Sequence, residues 1–93
     1  MATIHIKRTH KLDQEHIRQE VQNLADKLTN ELGVSCQWQD ERLHFERTGA
    51  KGDIEIGEGY LQFKLKLGML LSPLKGKIES SVVEYLDEHL GSN

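Results

Sequence analysis

The sequence predicts a two-layer α+β domain of order β-α-β-β-β-β-α, in which two helices cover one face of a mostly antiparallel five-stranded sheet. Three observations indicate this class. Two segments repeat apolar residues at the spacing of an amphipathic helix, and five others alternate apolar and polar residues. Short polar or glycine-containing connections join the last four alternating segments, as in successive hairpins. The length of 93 residues suits one domain, so residues 1–93 are predicted to form a single unit.

The first strand and first helix have clear local signals. The strand is predicted over residues 3–8, with Ile4 and Ile6 on one face. Asp13 is a favourable N-cap, and Leu12 before it can pack against the first apolar turn. Gly33 is suited to end the helix in a left-handed conformation. The apolar stripe between these caps comprises Ile17, Val21, Leu24, Ala25, Leu28 and Leu32.

Four more strands are predicted to form an antiparallel meander, although the sequence does not fix where the first strand pairs. Their apolar positions are Val34-Cys36-Trp38, Leu43-Phe45, Ile54-Ile56 and Leu61-Phe63-Leu65-Leu67. The turns between them are predicted at Asp40-Glu41, Gly49-Ala50-Lys51-Gly52 and Gly57-Glu58-Gly59.

The second helix is predicted to begin with Ser72 as N-cap and Pro73 at the first helical position, and to end at Gly91. Its apolar face comprises Leu74, Ile78, Val82, Tyr85, Leu86 and Leu90. Each helix has one apolar stripe and each later strand one apolar face. The helices are therefore expected on one side of the sheet, with water on the other.

Composition excludes several classes of function. The net charge of -3 gives no general attraction to nucleic acid, so no nucleic-acid partner is expected. The longest apolar run, Met69-Leu70-Leu71, is too short for a transmembrane segment. The alternating N-terminal residues do not read as an export signal, so a cytoplasmic location is expected. Cys36 is the only cysteine and forms no internal disulfide.

The sequence predicts no catalytic, cofactor-binding or metal-ligating residues, no cofactor and no enzymatic activity. The histidines lack the spacing of metal ligands, and although His5 and His44 could share the solvent face of the sheet, a third ligand is missing. Cys36 is expected to be a small buried side chain. The glycines at 49–52 precede a strand rather than a helix, which argues against a phosphate-binding loop.

The join between the last strand and the second helix is unusually apolar. It contains Met69, Leu70 and Leu71 where a connector is normally polar. One interpretation is a buried crossover. The other is an exposed apolar surface, flanked by lysines, that docks on a partner, a second copy or an apolar particle with an anionic surface. The candidate interaction residues are Met69, Leu70, Leu71, Lys75 and Lys77, with Lys64 and Lys66 nearby.

A combination of short motifs carries a family resemblance. They are Ile4-x-Ile6-x-Arg8-x-His10-x-Leu12, Trp38 with Leu43-x-Phe45-x-Arg47, Gly49-Ala50-x-Gly52-x-Ile54, and Leu67-Gly68-x-Leu70-Leu71-x-Pro73-Leu74-Lys75 with Ile78. The chain resembles the polyhydroxyalkanoic acid system proteins, also called polyhydroxyalkanoate granule-region proteins. This resemblance implies a context of polyester storage, with the granule surface or granule proteins as partners, and it brings no catalytic residues. Arg8, His10, Arg47 and Gly49 match the family motifs, and a structural role in a buried hydrogen-bond network around a turn would explain their presence.

Three functions remain open from the sequence. The first is a non-enzymatic accessory protein of polyhydroxyalkanoate storage, located in the cytoplasm at the granules. The second is a small helix-grip-like binder that holds a hydrophobic acyl ligand between Tyr85, Leu86, Phe63 and Trp38. The third is a homodimer that uses the solvent face of the sheet or the apolar join as its interface.

Overall fold

The computed structural model describes residues 2–90 and confirms the predicted order and class. The five strands are β1 (Ala2–Thr9), β2 (Ser35–Gln39), β3 (Arg42–Arg47), β4 (Ala50–Gly57) and β5 (Tyr60–Leu67). The helices are α1 (Gln14–Leu32) and α2 (Lys75–His89), and a short 3₁₀ turn over Ser72–Leu74 leads into α2. The predicted end of α2 at Gly91 lies outside the described residues.

The five strands form one antiparallel sheet in the order β1-β5-β4-β3-β2. β1 therefore pairs with the last strand, with Ala2 opposite Leu67 and Thr9 opposite Tyr60. This pairing settles the position that the sequence left open. It also makes β5 a central strand, and every second residue of β5 from Leu61 onward is buried.

The core lies between the inner face of the sheet and the two helices. α2 lies over β1, while α1 lies over β2 and β4. Phe45 and Phe63 stack at the centre, with ring centroids 5.6 Å apart. The largest fully buried side chains are Phe45, Phe63, Ile4, Ile17, Leu24, Leu28, Leu43, Ile54, Leu61, Leu65, Leu67 and Leu86.

Both ends of α1 form as the sequence predicts. The Asp13 side chain accepts a hydrogen bond from the backbone N–H of His16 at 2.8 Å, and the His16 ring nitrogen lies 2.8 Å from the same oxygen. These hydrogen bonds hold the pKa of the Asp13 carboxyl below its ordinary value. At the other end, Gly33 adopts a φ of 72° and its N–H donates to the Thr29 carbonyl at 2.9 Å. Residues that carry a side chain rarely adopt this left-handed backbone conformation, which explains the glycine.

The predicted turn over Gly49-Ala50-Lys51-Gly52 is wrong in its length. Only Thr48 and Gly49 form the turn, and β4 already begins at Ala50. Gly52 lies within the sheet, where a Cβ would come within 2.2 Å of the Lys64 carbonyl oxygen and 2.8 Å of the Phe45 ring. A close approach of neighbouring groups, rather than a turn, requires glycine here.

The predicted N-cap at Ser72 is also wrong. The Ser72 hydroxyl donates back to the Gly68 carbonyl at 2.9 Å. Leu71 is already helical, with φ −100° and ψ −5°, so the chain enters the 3₁₀ turn before it reaches Ser72. α2 then begins at Lys75 without a side-chain cap.

Candidate functional site

The segment from Gly68 to Leu71, called the apolar tip below, is a tight turn at one end of the sheet. β5 ends at the buried Leu67, and the Gly68 N–H donates to the Gly49 carbonyl at 2.8 Å. The Gly68 carbonyl in turn accepts from the N–H of Leu71 at 3.1 Å and from both the N–H and the hydroxyl of Ser72, at 3.0 and 2.9 Å. The Gly68 carbonyl thus fixes the turn, while the Gly68 N–H joins it to the β3–β4 turn.

Each of the two interpretations that the sequence allows applies to a different part of the apolar tip. Met69 is 83% exposed and Leu70 is 92% exposed, so the exposed interpretation applies to these two side chains. Leu71 is half-buried, packs against the core and lies beside Gly49. The buried interpretation applies to Leu71 alone. Met69 and Leu70 contribute little to the core, since their surface stays in water.

The two candidate lysines of α2 are not equivalent. The Lys75 ammonium lies 3.4 Å from the Glu79 carboxylate one turn later, which offsets its charge. Lys77 is exposed and borders a shallow depression of about 340 Å³, which Glu31, Leu32, Leu74 and Ile78 also line. Leu74, at 37% exposed, extends the apolar surface from the tip towards this depression.

The structure separates the side chains that could have formed a metal or nucleophilic site. On the solvent face of the sheet, the His5 ring nitrogen lies 2.8 Å from the Gln62 amide, and the His44 ring nitrogen lies 2.9 Å from the Gln39 amide. Within residues 2–90, no three His, Cys, Asp or Glu side chains are grouped to hold a metal ion. Cys36 is only partly buried, which corrects the prediction of a buried side chain.

The residues that share the family motif lie at opposite ends of the sheet, so they do not form one network. At the end away from the tip, the Arg8 guanidinium lies 3.5 Å from the Asp87 carboxylate and links β1 to α2. His10 Nδ1 accepts from the N–H of Leu12 at 3.1 Å. His10 Nε2 is buried, and no partner among residues 2–90 bonds to it.

At the tip end, Arg47 fastens α1 to the β3–β4 turn. Its guanidinium donates to the Leu32 carbonyl at 2.7 Å and to the Thr48 carbonyl at 3.0 Å. The Leu32 carbonyl belongs to the last turn of α1, where carbonyls lack partners within the helix. Gly49 has a φ of 87°, as the tight turn requires. Arg47 and Gly49 therefore have structural roles beside the tip.

A polar clamp between the helices was not predicted from the sequence. The Tyr85 hydroxyl donates to the Glu20 carboxylate at 2.9 Å, and burial together with this carboxylate raises the pKa of Tyr85 to about 12. The His89 ring stacks on Tyr85 at 4.1 Å and lies 3.5 Å from the same carboxylate. The only signal in the sequence was a hydroxyl-bearing Tyr85 on an otherwise aliphatic stripe.

The four residues proposed to hold an acyl ligand do not surround a common space. Trp38 donates to Gln22 of α1 at 2.7 Å, whereas Tyr85 donates to Glu20. Positions two apart on a helix point to nearly opposite flanks, so α1 stands between Trp38 and Tyr85. Phe63 and Leu86 are buried in the core at 0% and 2% exposure. The acyl-binding hypothesis is therefore not retained.

The fold and the tip together define a small two-layer α+β protein whose foremost candidate site is a protruding surface rather than a cleft. None of the helices within residues 2–90 is long and apolar enough to cross a membrane. The profile of the family described as "putative polyhydroxyalkanoic acid system protein" matches residues 4–90, and the chain belongs to this family. No curated protein is significantly similar to the chain.

Proposed function

We propose that the protein is a non-enzymatic accessory protein of polyhydroxyalkanoate storage that associates, in the cytoplasm, with storage granules or their proteins. Family membership supplies the storage system. The exposure of Met69 and Leu70 supports the association, because these two large apolar side chains protrude from a turn that backbone hydrogen bonds hold in place. Such exposed apolar groups are typical of surfaces that meet a partner.

The size of the tip sets the strength of this association. Full burial of one Leu or Met side chain stabilises by about 1.5–3 kcal/mol, so Met69 and Leu70 together provide at most roughly 3–6 kcal/mol. The entropy that the two partners lose on association reduces this free energy. A net binding free energy of about 4 kcal/mol corresponds to a millimolar dissociation constant. The tip alone therefore gives weak, reversible attachment, which additional contacts, such as those of the exposed Lys77, must strengthen.

Cosedimentation of the purified protein with polyhydroxyalkanoate granules tests the proposal. The wild type is expected in the granule pellet and the Leu70→Glu variant in the supernatant, because a carboxylate opposes burial of the tip. The matched control is Gln37→Glu, which adds the same charge at an exposed position on β2 and is expected to sediment like the wild type. Wild type and Leu70→Glu sedimenting equally would refute docking through the tip.

A homodimer would use the same exposed side chains in a different way. Sedimentation velocity of the wild type distinguishes the two uses. A monomer that still binds granules supports the proposed function, whereas a dimer that Leu70→Glu dissociates, without granule binding, overturns it.

A further inference from the structure

Positive charge is concentrated around the apolar tip. The chain has 15 Asp and Glu residues against 12 Lys and Arg residues, yet residues 59–78 contain four lysines and no acidic residue. This stretch comprises β5, the tip and the beginning of α2. The acidic residues that make the protein negative overall therefore lie outside the segment that bears the tip.

The solvent face of the sheet carries part of this charge, and two of its lysines are directly opposed. Lys51 of β4 lies directly opposite Lys66 of β5. Opposed residues on adjacent strands have Cβ atoms about 4.5–5.5 Å apart, where like charges repel. On the same face, Arg42 and Glu55 are an opposed pair of opposite charge, and they form an ion pair of 2.9 Å.

Neighbouring carboxylates form no close ion pair with these lysines. Glu46 is opposite Lys51 on β3, and Asp53 is opposite Lys64. Even so, across residues 2–90, no carboxylate oxygen lies within 4.0 Å of the ammonium groups of Lys51, Lys64 or Lys66. The three ammonium groups are available to an external anion.

These lysines border a depression next to the tip. Its volume is about 390 Å³, and its lining comprises Thr3, His44, Lys51, Gly52, Asp53, Lys64, Leu65 and Lys66. Three lysines against one carboxylate make this a basic surface. Lys66 precedes Met69 by three residues, so their Cα atoms lie at most about 11 Å apart. Lys75 and Lys77 follow the tip in the sequence, at the beginning of α2.

We infer that this end of the molecule docks end-on on a surface of anionic lipid headgroups, with Met69 and Leu70 entering the apolar layer and Lys51, Lys64 and Lys66 contacting the phosphates. The inference rests on the proposed function for the role of the tip, and it adds the sheet lysines and the chemistry of the surface. An apolar tip next to a cluster of lysines matches a lipid interface, which is apolar within and negative at its boundary.

Binding to lipid vesicles tests the charge contribution. The wild type is expected to cosediment with vesicles that contain anionic phosphatidylglycerol, to bind weakly to pure phosphatidylcholine vesicles, and to dissociate as salt is raised. Each lysine near an anionic surface contributes about a fivefold increase in partitioning, so Lys51→Gln with Lys66→Gln should weaken binding roughly 25-fold. The stability of this double variant should change little, because both the repulsion between Lys51 and Lys66 and the attraction between Lys51 and Glu46 are removed.

The matched control removes the same charge at the other end of the sheet. Lys7→Gln with Lys11→Gln lowers the net charge equally, away from the tip, and should bind like the wild type apart from a small general effect. Equal weakening by both double variants, or equal binding to neutral and anionic vesicles, would overturn the inference.

The two proposals fail in different ways. One outcome is that the Leu70→Glu variant stays in the supernatant when granules are pelleted, while the Lys51→Gln with Lys66→Gln variant binds anionic vesicles normally. The proposed function then stands and the lipid inference fails. If the wild type does not sediment with granules, the proposed function fails whatever the vesicles show.

Discussion

Replacing Gly52 with alanine tests the close approach of strands at the centre of the sheet. The new Cβ would lie 2.2 Å from the Lys64 carbonyl oxygen and 2.9 Å from the Leu65 Cα, both of which belong to the β5 backbone. Relief requires β4 and β5 to separate, which weakens the ladder on both sides. We expect a loss of about 3 kcal/mol, the upper part of the usual range for overpacking.

That loss is large for a domain of this size. Proteins of about 100 residues are stable by roughly 5–15 kcal/mol, and each kcal/mol corresponds to about 4–8 °C in the melting temperature. Gly52→Ala should therefore lower the melting temperature by roughly 12–24 °C. Urea unfolding followed by the fluorescence of Trp38 gives the free energy directly, because Trp38 is the only tryptophan.

Two further variants separate the causes. Gly76→Ala makes the same chemical change in α2, where a Cβ meets nothing within 4 Å, and should stabilise by about 0.5–1 kcal/mol. Phe45→Leu removes the contact of 2.8 Å with the Phe45 ring but leaves the carbonyl contact, so Gly52→Ala added to Phe45→Leu should cost about as much as Gly52→Ala added to the wild type. A free energy of unfolding for Gly52→Ala alone that lies within about 0.5 kcal/mol of the wild-type value would refute the predicted clash.

Two other predictions concern the helix clamp and the tip. Tyr85→Phe should lower the free energy of unfolding by about 1 kcal/mol at neutral pH, since it removes the hydrogen bond to Glu20. The folded-state pKa of Tyr85, about 12, lies above its ordinary value, so this stabilisation is full below about pH 10 and is lost as the pH rises through 12. Urea unfolding of both proteins across this range should show the difference disappearing, and a constant difference would contradict it. At the tip, Leu71→Ala should cost about 1–2 kcal/mol and Leu70→Ala almost nothing, because only Leu71 packs against the core. Equal losses in urea unfolding would show that the two side chains are equally buried.

Local chemistry explains which parts of the fold could be predicted from the sequence. The bounds of α1 follow from Asp13 and Gly33, whose partners His16 and Thr29 lie within four residues. Alternation likewise identifies each strand, because the period of two is a property of the strand itself.

Non-local contacts explain what the sequence missed. Ala50 is part of β4 because it pairs with both Arg47 and Leu67, the latter 17 residues away. The same holds for the candidate site. Leu71 is covered because it lies beside Gly49, while Met69 and Leu70 in the same apolar run have no such neighbour and remain exposed.

The pairing of β1 with β5 determines when the sheet can be completed. Its register joins Thr9 to Tyr60 and Ala2 to Leu67, so each contact closes a loop of more than fifty residues. Closing loops of this length is entropically costly and slow compared with forming the hairpins of the meander. During synthesis, β1 leaves the ribosome first, yet it has no strand to join until β5 has followed. Once β5 has formed, and before β1 docks on it, β5 presents an open edge that a strand of another chain could occupy, which makes prompt docking of the N-terminal strand a safeguard against aggregation.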